Sequence, residues 1–415
     1  MPTRTLLILT QVYVPDPASV GQHMHDAAAE IARRGVRVQV LTSARGYDDP
    51  SQRYDSNQTL DGVHVRRLPL SSFGKRSIML RLLGGVVFLI QATVLGLFTR
   101  RLGGVLVSTS PPMCPAAALV LRLIRRVPVA YWAMDLNPDQ MIEAGRISAR
   151  SAAARLFDAM NRGILRRAGN VIALDRYMSQ RLNSKVDARA KTIIIPPWPH
   201  VEEAGPALDH ADNPFRSQQN LEGRFVFMYS GNISPVHPVG TILEAAGRLA
   251  DDPRLLFLFI GGGLGRRQIE QVIETNRAPL IRLLPYQPLE HLRLSLSAAD
   301  VHLVAMGTNM VGIVHPCKVY GALAVGRPVL LLGPRNCHVS DILEEHDVGW
   351  RIDDGDVDQA VRTIRKIAAT GEDELREMGR RGQQVVRERF SKTVLCRRFG
   401  DVLEQALEPG GANEC

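Results

Sequence analysis

Residues 298–332 run Ala298-Ala299-Asp300-Val301-His302-Leu303-Val304, then a loop rich in small residues. The run continues His315-Pro316-Cys317-Lys318-Val319-Tyr320-Gly321-Ala322-Leu323-Ala324-Val325-Gly326-Arg327-Pro328-Val329-Leu330-Leu331-Leu332. An apolar strand leads through the loop to a short helix, and a second apolar strand follows. Gly326 after the last helical turn and Pro328 just beyond it are helix stop signals. The loop before the helix therefore points at a helix start, where free main-chain N–H groups and the helix dipole favour phosphate. Lys318 sits in that first turn and can add a full positive charge. An ordinary loop–helix–strand unit with a surface lysine has the same pattern, so a structural and a functional reading both stand at this point.

Outward from this segment, strands and helices alternate along almost the whole chain. Residues 6–9, 36–41, 63–68, 105–108, 127–130, 171–174 and 193–195 read as strands, most of them short apolar runs suited to a sheet covered on both faces. The loop from Tyr13 to Gln22 contains Gly21 and precedes an expected helix over 23–34, which Gly35 ends. From Pro196 to Gly223 the composition turns polar and rich in Pro and Gly, as in an interdomain linker. The alternation then restarts, with strands expected at 225–229, 256–260, 281–283, 301–304 and 329–332. The expected fold class is α/β with two Rossmann-like domains. They span 1–200 and 224–392, joined by a linker at 201–223, and a final helix over 393–408 returns to the first domain.

Composition narrows the partners. Hydrophobic residues make up 45% and charged residues 22%, which fits a folded protein of two ordinary domains. The net charge of +9 is uneven. Residues 1–200 carry 27 Lys and Arg against 13 Asp and Glu, whereas residues 201–415 carry 24 against 29. A polyanionic partner is expected for the first half only. Its arginines lie in pairs between apolar runs, without a dense basic tract interleaved with aromatics. An anionic membrane surface or a lipid pyrophosphate fits this better than nucleic acid. The five cysteines are scattered and include no Cys-x-x-Cys, so neither a zinc site nor a disulfide framework is indicated. The first apolar run is too short for a signal peptide, and a reducing cytoplasm is the expected compartment.

Pro316-Cys317-Lys318-Val319-Tyr320-Gly321, followed by Ala324-Val325-Gly326-Arg327-Pro328-Val329, resembles the donor-binding region of retaining glycosyltransferases of the two-Rossmann-domain type, GT-B. The likeness is strongest to the bacterial branch of family four that builds capsule, O-antigen and exopolysaccharide, and it extends along nearly the whole chain. It implies two domains facing a central cleft and a C-terminal helix crossing back to the first domain. The implied activity is transfer of a sugar from a nucleoside-diphosphate donor to a lipid-linked saccharide acceptor, at the inner face of the cytoplasmic membrane. The resemblance further implies that no metal or other cofactor is required and that the donor β-phosphate takes the acceptor proton.

The resemblance also assigns roles. Lys318 stabilises the departing diphosphate. Asp135, in Met134-Asp135-Leu136-Asn137-Pro138, faces the cleft at a strand end and orients a substrate; as an alternative it caps the following turn. Tyr229-Ser230-Gly231-Asn232-Ile233-Ser234-Pro235-Val236-His237 is similar to the family's phosphate turn, but Ser234 and Pro235 replace its second glycine and its basic residue. That leaves His237 as the polar contact. Gly261-Gly262-Gly263-Leu264-Gly265-Arg266 is similar to a glycine turn that approaches the donor, and Leu284-Pro285-Tyr286 to the loop around the nucleobase. Donor contacts are thus implied for Gly21, Gly231, Asn232, His237, Gly262, Gly263, Arg266, Tyr286, Gly312, Ile313, Pro316 and Tyr320. Many relatives carry two acidic residues eight positions apart, where this chain has Ile313 and Gly321. A nucleotide-sugar 2-epimerase of the same fold, or an inactive scaffold in an assembly complex, are the competing readings.

Residues 82–98 contain no charged side chain, and arginines flank them. The run is slightly short for a membrane span of roughly 20 residues. Three readings stand: a helix buried between strands, one embedded in a leaflet and, ranked last, a single span.

Overall fold

The computed structural model describes residues 4–16, 18–46, 49, 51–69, 71, 78–201, 207–275 and 277–407. The chain divides into two compact units. The first comprises Met1–Pro197, Gly312–Val314 and Thr393–Cys415, and the second Trp198–Val311 and His315–Lys392.

The first unit is built on eight strands: β1 (Thr5–Leu9), β2 (Arg37–Ser43), β3 (Asn57–Leu60), β4 (Val63–Leu68), β5 (Leu102–Ser108), β6 (Val129–Trp132), β7 (Asn170–Ala173) and β8 (Thr192–Ile194). They form one sheet in the order β3-β4-β2-β1-β5-β6-β7-β8. All pairs are parallel except β3–β4. β1 is central, with Leu7 opposite Gln39 of β2 and Val105 of β5. All five of its residues are buried, which is why the strand is a plain apolar run rather than an alternating one. The interleaved helices are α1 (Ser19–Arg33), α2 (Ile78–Leu97), α3 (Cys114–Arg125), α4 (Asp139–Glu143), α5 (Ala152–Arg167) and α6 (Arg176–Lys185).

The second unit opens with α7 (Pro214–Gln218) and then repeats the plan: β9 (Phe225–Ser230), α8 (Gly240–Arg248), β10 (Leu255–Ile260), α9 (Arg266–Glu274), β11 (Ile281–Leu284), α10 (Leu292–Ser297), β12 (Val301–Ala305), α11 (Lys318–Ala324), β13 (Val329–Leu332), α12 (His338–His346) and β14 (Gly349–Ile352). Its sheet has the order β11-β10-β9-β12-β13-β14, and every pair is parallel. Phe227 of β9 faces Phe257 of β10 and Val301 of β12, and the Phe227 and Phe257 rings stack at 5.4 Å. Helices α13 (Val357–Ala368) and α14 (Glu372–Val385) follow, and a π-helical turn over Val386–Phe390 leads to α15 (Lys392–Leu407).

From Thr393 onward α15 belongs to the first unit, as the expected crossing helix requires. It is held there by three kinds of contact. The Phe399 ring packs on Trp132, with centroids 4.4 Å apart. Asn170 donates to the Val402 carbonyl at 3.1 Å. The Arg34 guanidinium donates to Asp401 and Glu404, both at 2.8 Å, and to the Arg397 carbonyl at 2.7 Å.

Several elements differ from expectation, each for a local reason. The strand expected over 127–130 begins at Val129, because Arg126 adopts φ 52° and Pro128 has no N–H to give the sheet. The stretch expected as a linker contains α7, whose N-cap Asn213 accepts from the Phe215 amide. Arg216 in that helix is buried and donates to the carbonyls of Ala298, Leu221 and Arg224. The apolar run at 82–98 is most of α2, which begins earlier, at Ile78. Its face bearing Gly84, Gly85, Phe88, Ala92 and Gly96 is buried, while Leu83, Val86, Ile90 and Val94 are exposed. Among the described residues no helix is long and apolar enough to cross a membrane.

Candidate active site

In a doubly wound parallel sheet, chain connections leave in opposite directions at one point of the strand order. The loops beyond the strand C-termini there splay apart and leave room for a ligand. In the second unit that point lies between β9 and β12. Gly231, Asn232, Gly262, Gly263, Arg266, Tyr286 and Lys318 come together around the loops that follow β9 and β10.

The β9 loop turns at Gly231, with φ 124°, a conformation open to glycine at little cost. The two loops are tied together by main-chain bonds. The Gly231 amide donates to Ile260 at 2.8 Å, Ile233 to Gly262 at 2.7 Å, and Gly265 back to Ile233 at 2.9 Å. Gly263 is also at positive φ, 113°, and a Cβ there would fall 2.2 Å from the Asn232 Oδ1. The glycine runs of the sequence are thus explained by two loops lying backbone against backbone.

Lys318 is the first residue of α11, and its side chain reaches this turn. Its Nζ donates to the Asn232 carbonyl at 3.3 Å and stands 4.8 Å from the centroid of the Tyr229 ring. The Tyr229 hydroxyl donates to the same carbonyl at 2.9 Å. Burial opposes the ammonium charge, but neighbouring Tyr229 and Cys317 outweigh it, and the pKa moves above the ordinary lysine value. Lys318 is therefore a fixed positive charge beside a glycine turn. Pro316 and Tyr320, from the same motif, are buried. The Tyr320 hydroxyl is bonded to His315 Nε2 at 2.9 Å, and its ring packs against Phe390. Tyr320 anchors α11 inward.

His237 follows the same loop. Its pKa is pushed down to about 3, by burial first and then by the charge of Lys318, against a hydrogen bond to the Ala305 main chain. The imidazole is neutral at ordinary pH, and its Nδ1 is buried with no hydrogen-bond partner. It can offer a hydrogen-bonding nitrogen but no charge. Arg266, the other predicted cation, is already engaged. Its Nε pairs with Glu270 at 2.7 Å and its Nη1 donates to the Gly261 carbonyl at 3.1 Å. Glu270, one helical turn on, was not singled out in the sequence, although the i,i+4 spacing of Arg266 and Glu270 is a readable pairing signal. Nothing local in the sequence marks Tyr229 as the ring under Lys318. The Tyr286 ring is more than half exposed and lies against Gly261 and Gly262.

The first unit holds the other predicted residues. Its own reversal point lies between β1 and β5. Gly21, in the first turn of α1, packs against the main chain of Tyr13 in the loop after β1. Asp135 is exposed three residues beyond the end of β6, and its amide donates to the Thr109 hydroxyl at 3.1 Å. The helix that follows, α4, has Pro138 at its N-cap. Gly312 and Ile313 count with this unit; the Ile313 carbonyl accepts from the Leu136 amide at 2.9 Å.

Comparison with known proteins agrees with this architecture. A glycosyl transferase 4-like domain matches residues 19–198 and a glycosyl transferases group 1 domain matches residues 212–385. The two matched domains define a glycosyltransferase with two parallel-sheet α/β units, the GT-B class. The chain belongs to the glycosyltransferases that join these two domains in this order.

Its relatives include the probable glycosyltransferase WbjE of Pseudomonas aeruginosa, 25% identical over 308 residues, which covers 74% of this chain and 76% of that protein. Another is the putative colanic acid biosynthesis glycosyl transferase WcaI of Escherichia coli K12, 24% identical over 326 residues, covering 76% and 79%. Among solved structures, sucrose-phosphate synthase from Thermosynechococcus elongatus superposes with a TM-score of 0.77 at 18% identity, over 97% of this chain and 99% of that one. Anabaena HepE in complex with UDP and glucose gives 0.71 at 15% identity, over 97% and 100%. At these identities the solved structures speak to the fold.

Proposed function

We propose that the protein is a retaining glycosyltransferase of cell-surface polysaccharide synthesis. It uses a nucleoside-diphosphate sugar as donor and a lipid-linked saccharide as acceptor, and works at the cytoplasmic face of the membrane. The bond from the anomeric carbon to the diphosphate oxygen breaks. A bond from that carbon to an acceptor hydroxyl oxygen forms, and the hydroxyl proton passes to the departing diphosphate. The observation that carries this reading is the Lys318 ammonium fixed over the Gly231–Asn232 turn at the reversal point of the second sheet. A preorganised charge at that place stabilises the negative charge that develops on the leaving group. The relative named for colanic acid biosynthesis and the solved neighbour holding UDP and glucose support the choice of pathway and donor class.

His237, neutral and with Nδ1 unpaired, suits a contact with a sugar hydroxyl better than one with a phosphate. The proposed chemistry uses no metal, the leaving-group charge being met by Lys318 and main-chain amides. The test is a screen of nucleotide sugars against a membrane lipid extract, with nucleotide release and labelled lipid product as readouts. Lys318→Ala should lower turnover roughly a hundredfold or more. Unchanged turnover, or loss of turnover on adding a chelator, would remove the corresponding part of the proposal.

A further inference from the structure

Helix α2 buries one apolar face and leaves a second apolar face in solvent. Leu80, Leu83, Val86, Ile90 and Val94 follow one another at three- and four-residue steps, the spacing that places them along one side of a helix. Leu83 is 52% exposed, Ile90 58%, and Phe98, just beyond the helix, 79%. The opposite side is fully used: Phe88 and Ala92 are buried, and a Cβ on Gly96 would strike Leu121 of α3 and Leu7 of β1. An exposed stripe this long on a folded protein marks an interaction surface.

The stripe has a continuation and a rim. Arg125 of α3 donates to the carbonyls of Leu97 and Thr99, which pins the C-terminal ends of α2 and α3 together. Leu123 and Ile124 at that end of α3 are exposed, as Phe98 is at that end of α2. Arg100, Arg101 and Arg126 are exposed at the same end. Residues 62–134 contain ten Lys and Arg and not one Asp or Glu. A second copy of the chain would bring the same positive stretch, with no carboxylate in residues 62–134, to the other side of the contact. An anionic leaflet instead takes the apolar stripe below the headgroups and pairs the arginines with lipid phosphates.

We infer that the exposed face of α2, with the C-terminal end of α3 and the Arg100, Arg101 and Arg126 rim, is the surface by which the protein lies on an anionic lipid monolayer. The helix rests in the plane of the interface. This deepens the proposed function, since it rests on the acceptor being lipid-linked.

The test uses the full chain with vesicles of phosphatidylglycerol and phosphatidylcholine, and with vesicles of phosphatidylcholine alone. The wild type should sediment with the anionic vesicles. Raising salt from about 0.1 M to about 1 M should weaken binding without abolishing it, because only the arginine part is screened. Leu83→Asp combined with Ile90→Asp should reduce binding roughly tenfold or more. Both positions are exposed, and an unchanged thermal melt checks the fold. Arg100→Ser combined with Arg101→Ser should lower binding to anionic vesicles and remove most of its salt dependence.

A wild type that stays in the supernatant, or an aspartate variant that binds as well as the wild type, would overturn the inference. A dimer in light scattering that the aspartate variant converts to monomer would overturn it in favour of a second copy. Donor turnover is measured on the same preparations with a detergent-solubilised acceptor. Turnover without vesicle binding defeats the surface and leaves the enzymatic reading standing; vesicle binding without turnover does the reverse.

Discussion

A Cβ placed on Gly231 would lie 2.8 Å from the Lys318 Cε, although the two residues are 87 positions apart in the chain. The turn after β9 and the first residue of α11 are therefore fitted to each other, and the lysine has its place because the glycine has no side chain. Gly231→Ala should then act on Lys318 as well as on the turn. At φ 124° an alanine is strained by about 1–3 kcal/mol, and its methyl displaces the ammonium. The expected result is a lower melting temperature together with a fall in kcat approaching that of Lys318→Ala. A variant that melts lower but keeps full kcat would show that the lysine position does not matter to the chemistry.

Asp135 is exposed beyond a strand end, three residues before the Pro138 N-cap of α4. Asp135→Asn keeps the size and the amide bond to Thr109 while removing the charge. If the carboxylate orients a substrate hydroxyl in the transition state, kcat should fall and the Kd for nucleotide should stay put. Steady-state kinetics beside a nucleotide titration separate the two. A silent substitution would take Asp135 out of the site.

The half-exposed Tyr286 ring lies on Gly261 and Gly262, where the base of a nucleotide is proposed to sit. Tyr286→Ala should weaken nucleotide binding about three- to tenfold, the range for losing one aromatic contact, and leave the melting temperature of the free protein nearly unchanged. Calorimetric titration with UDP and with GDP reads the first effect, and the larger loss would name the base that the ring prefers.

Acid should destabilise the second unit. Burial, before any other cause, pushes His210 and His237 down to about 3 and His302 down to about 4. An imidazole in the unfolded chain takes up its proton near pH 6.5. Between those values the unfolded state holds more protons than the folded one, so stability is complete above about pH 6.5 and declines as pH falls toward 4. Each histidine contributes up to about 1.4 kcal/mol per pH unit in that window. Asp300, beside His210 and Arg216, has its carboxyl pushed up mainly by burial and works in the opposite sense. Melting curves from pH 7.5 to pH 4.5 should fall steeply in wild type, and less steeply in His302→Asn. A flat profile would mean that these rings titrate normally.

How far the sequence could be read follows from where its signals are local. β1 and β13 lie inside parallel sheets with both faces covered, so Leu6 to Leu9 and Val329 to Leu332 stand out as apolar runs. β3 is a short antiparallel edge strand with alternating exposure, and Asn57-Gln58-Thr59-Leu60 has too little apolar content to announce it. β14 is the other kind of miss: an edge strand in which Gly349, Trp350 and Arg351 are only half covered. At the site, Lys318 was legible because a cation at a helix start is a local pattern. The Tyr229 ring beneath it was not, since that contact depends on how the loops after β9 and β10 interlock. The pairing of Arg266 with Glu270 was within reach of the sequence and diverts a cation that the glycine turn alone would assign to phosphate.

The docking of Phe399 on Trp132 and of Asp401 and Glu404 on Arg34 has a consequence for the order in which the molecule is assembled. Synthesis delivers the whole of the second unit before Thr393 leaves the ribosome. That unit can close as an uninterrupted segment apart from Gly312–Val314, whereas the first must wait for the final helix with its matching aromatic and basic surface uncovered. The domain begun first is thus completed last. A growing chain would present the Trp132 surface to chaperones while the residues from Trp198 to Lys392 are translated.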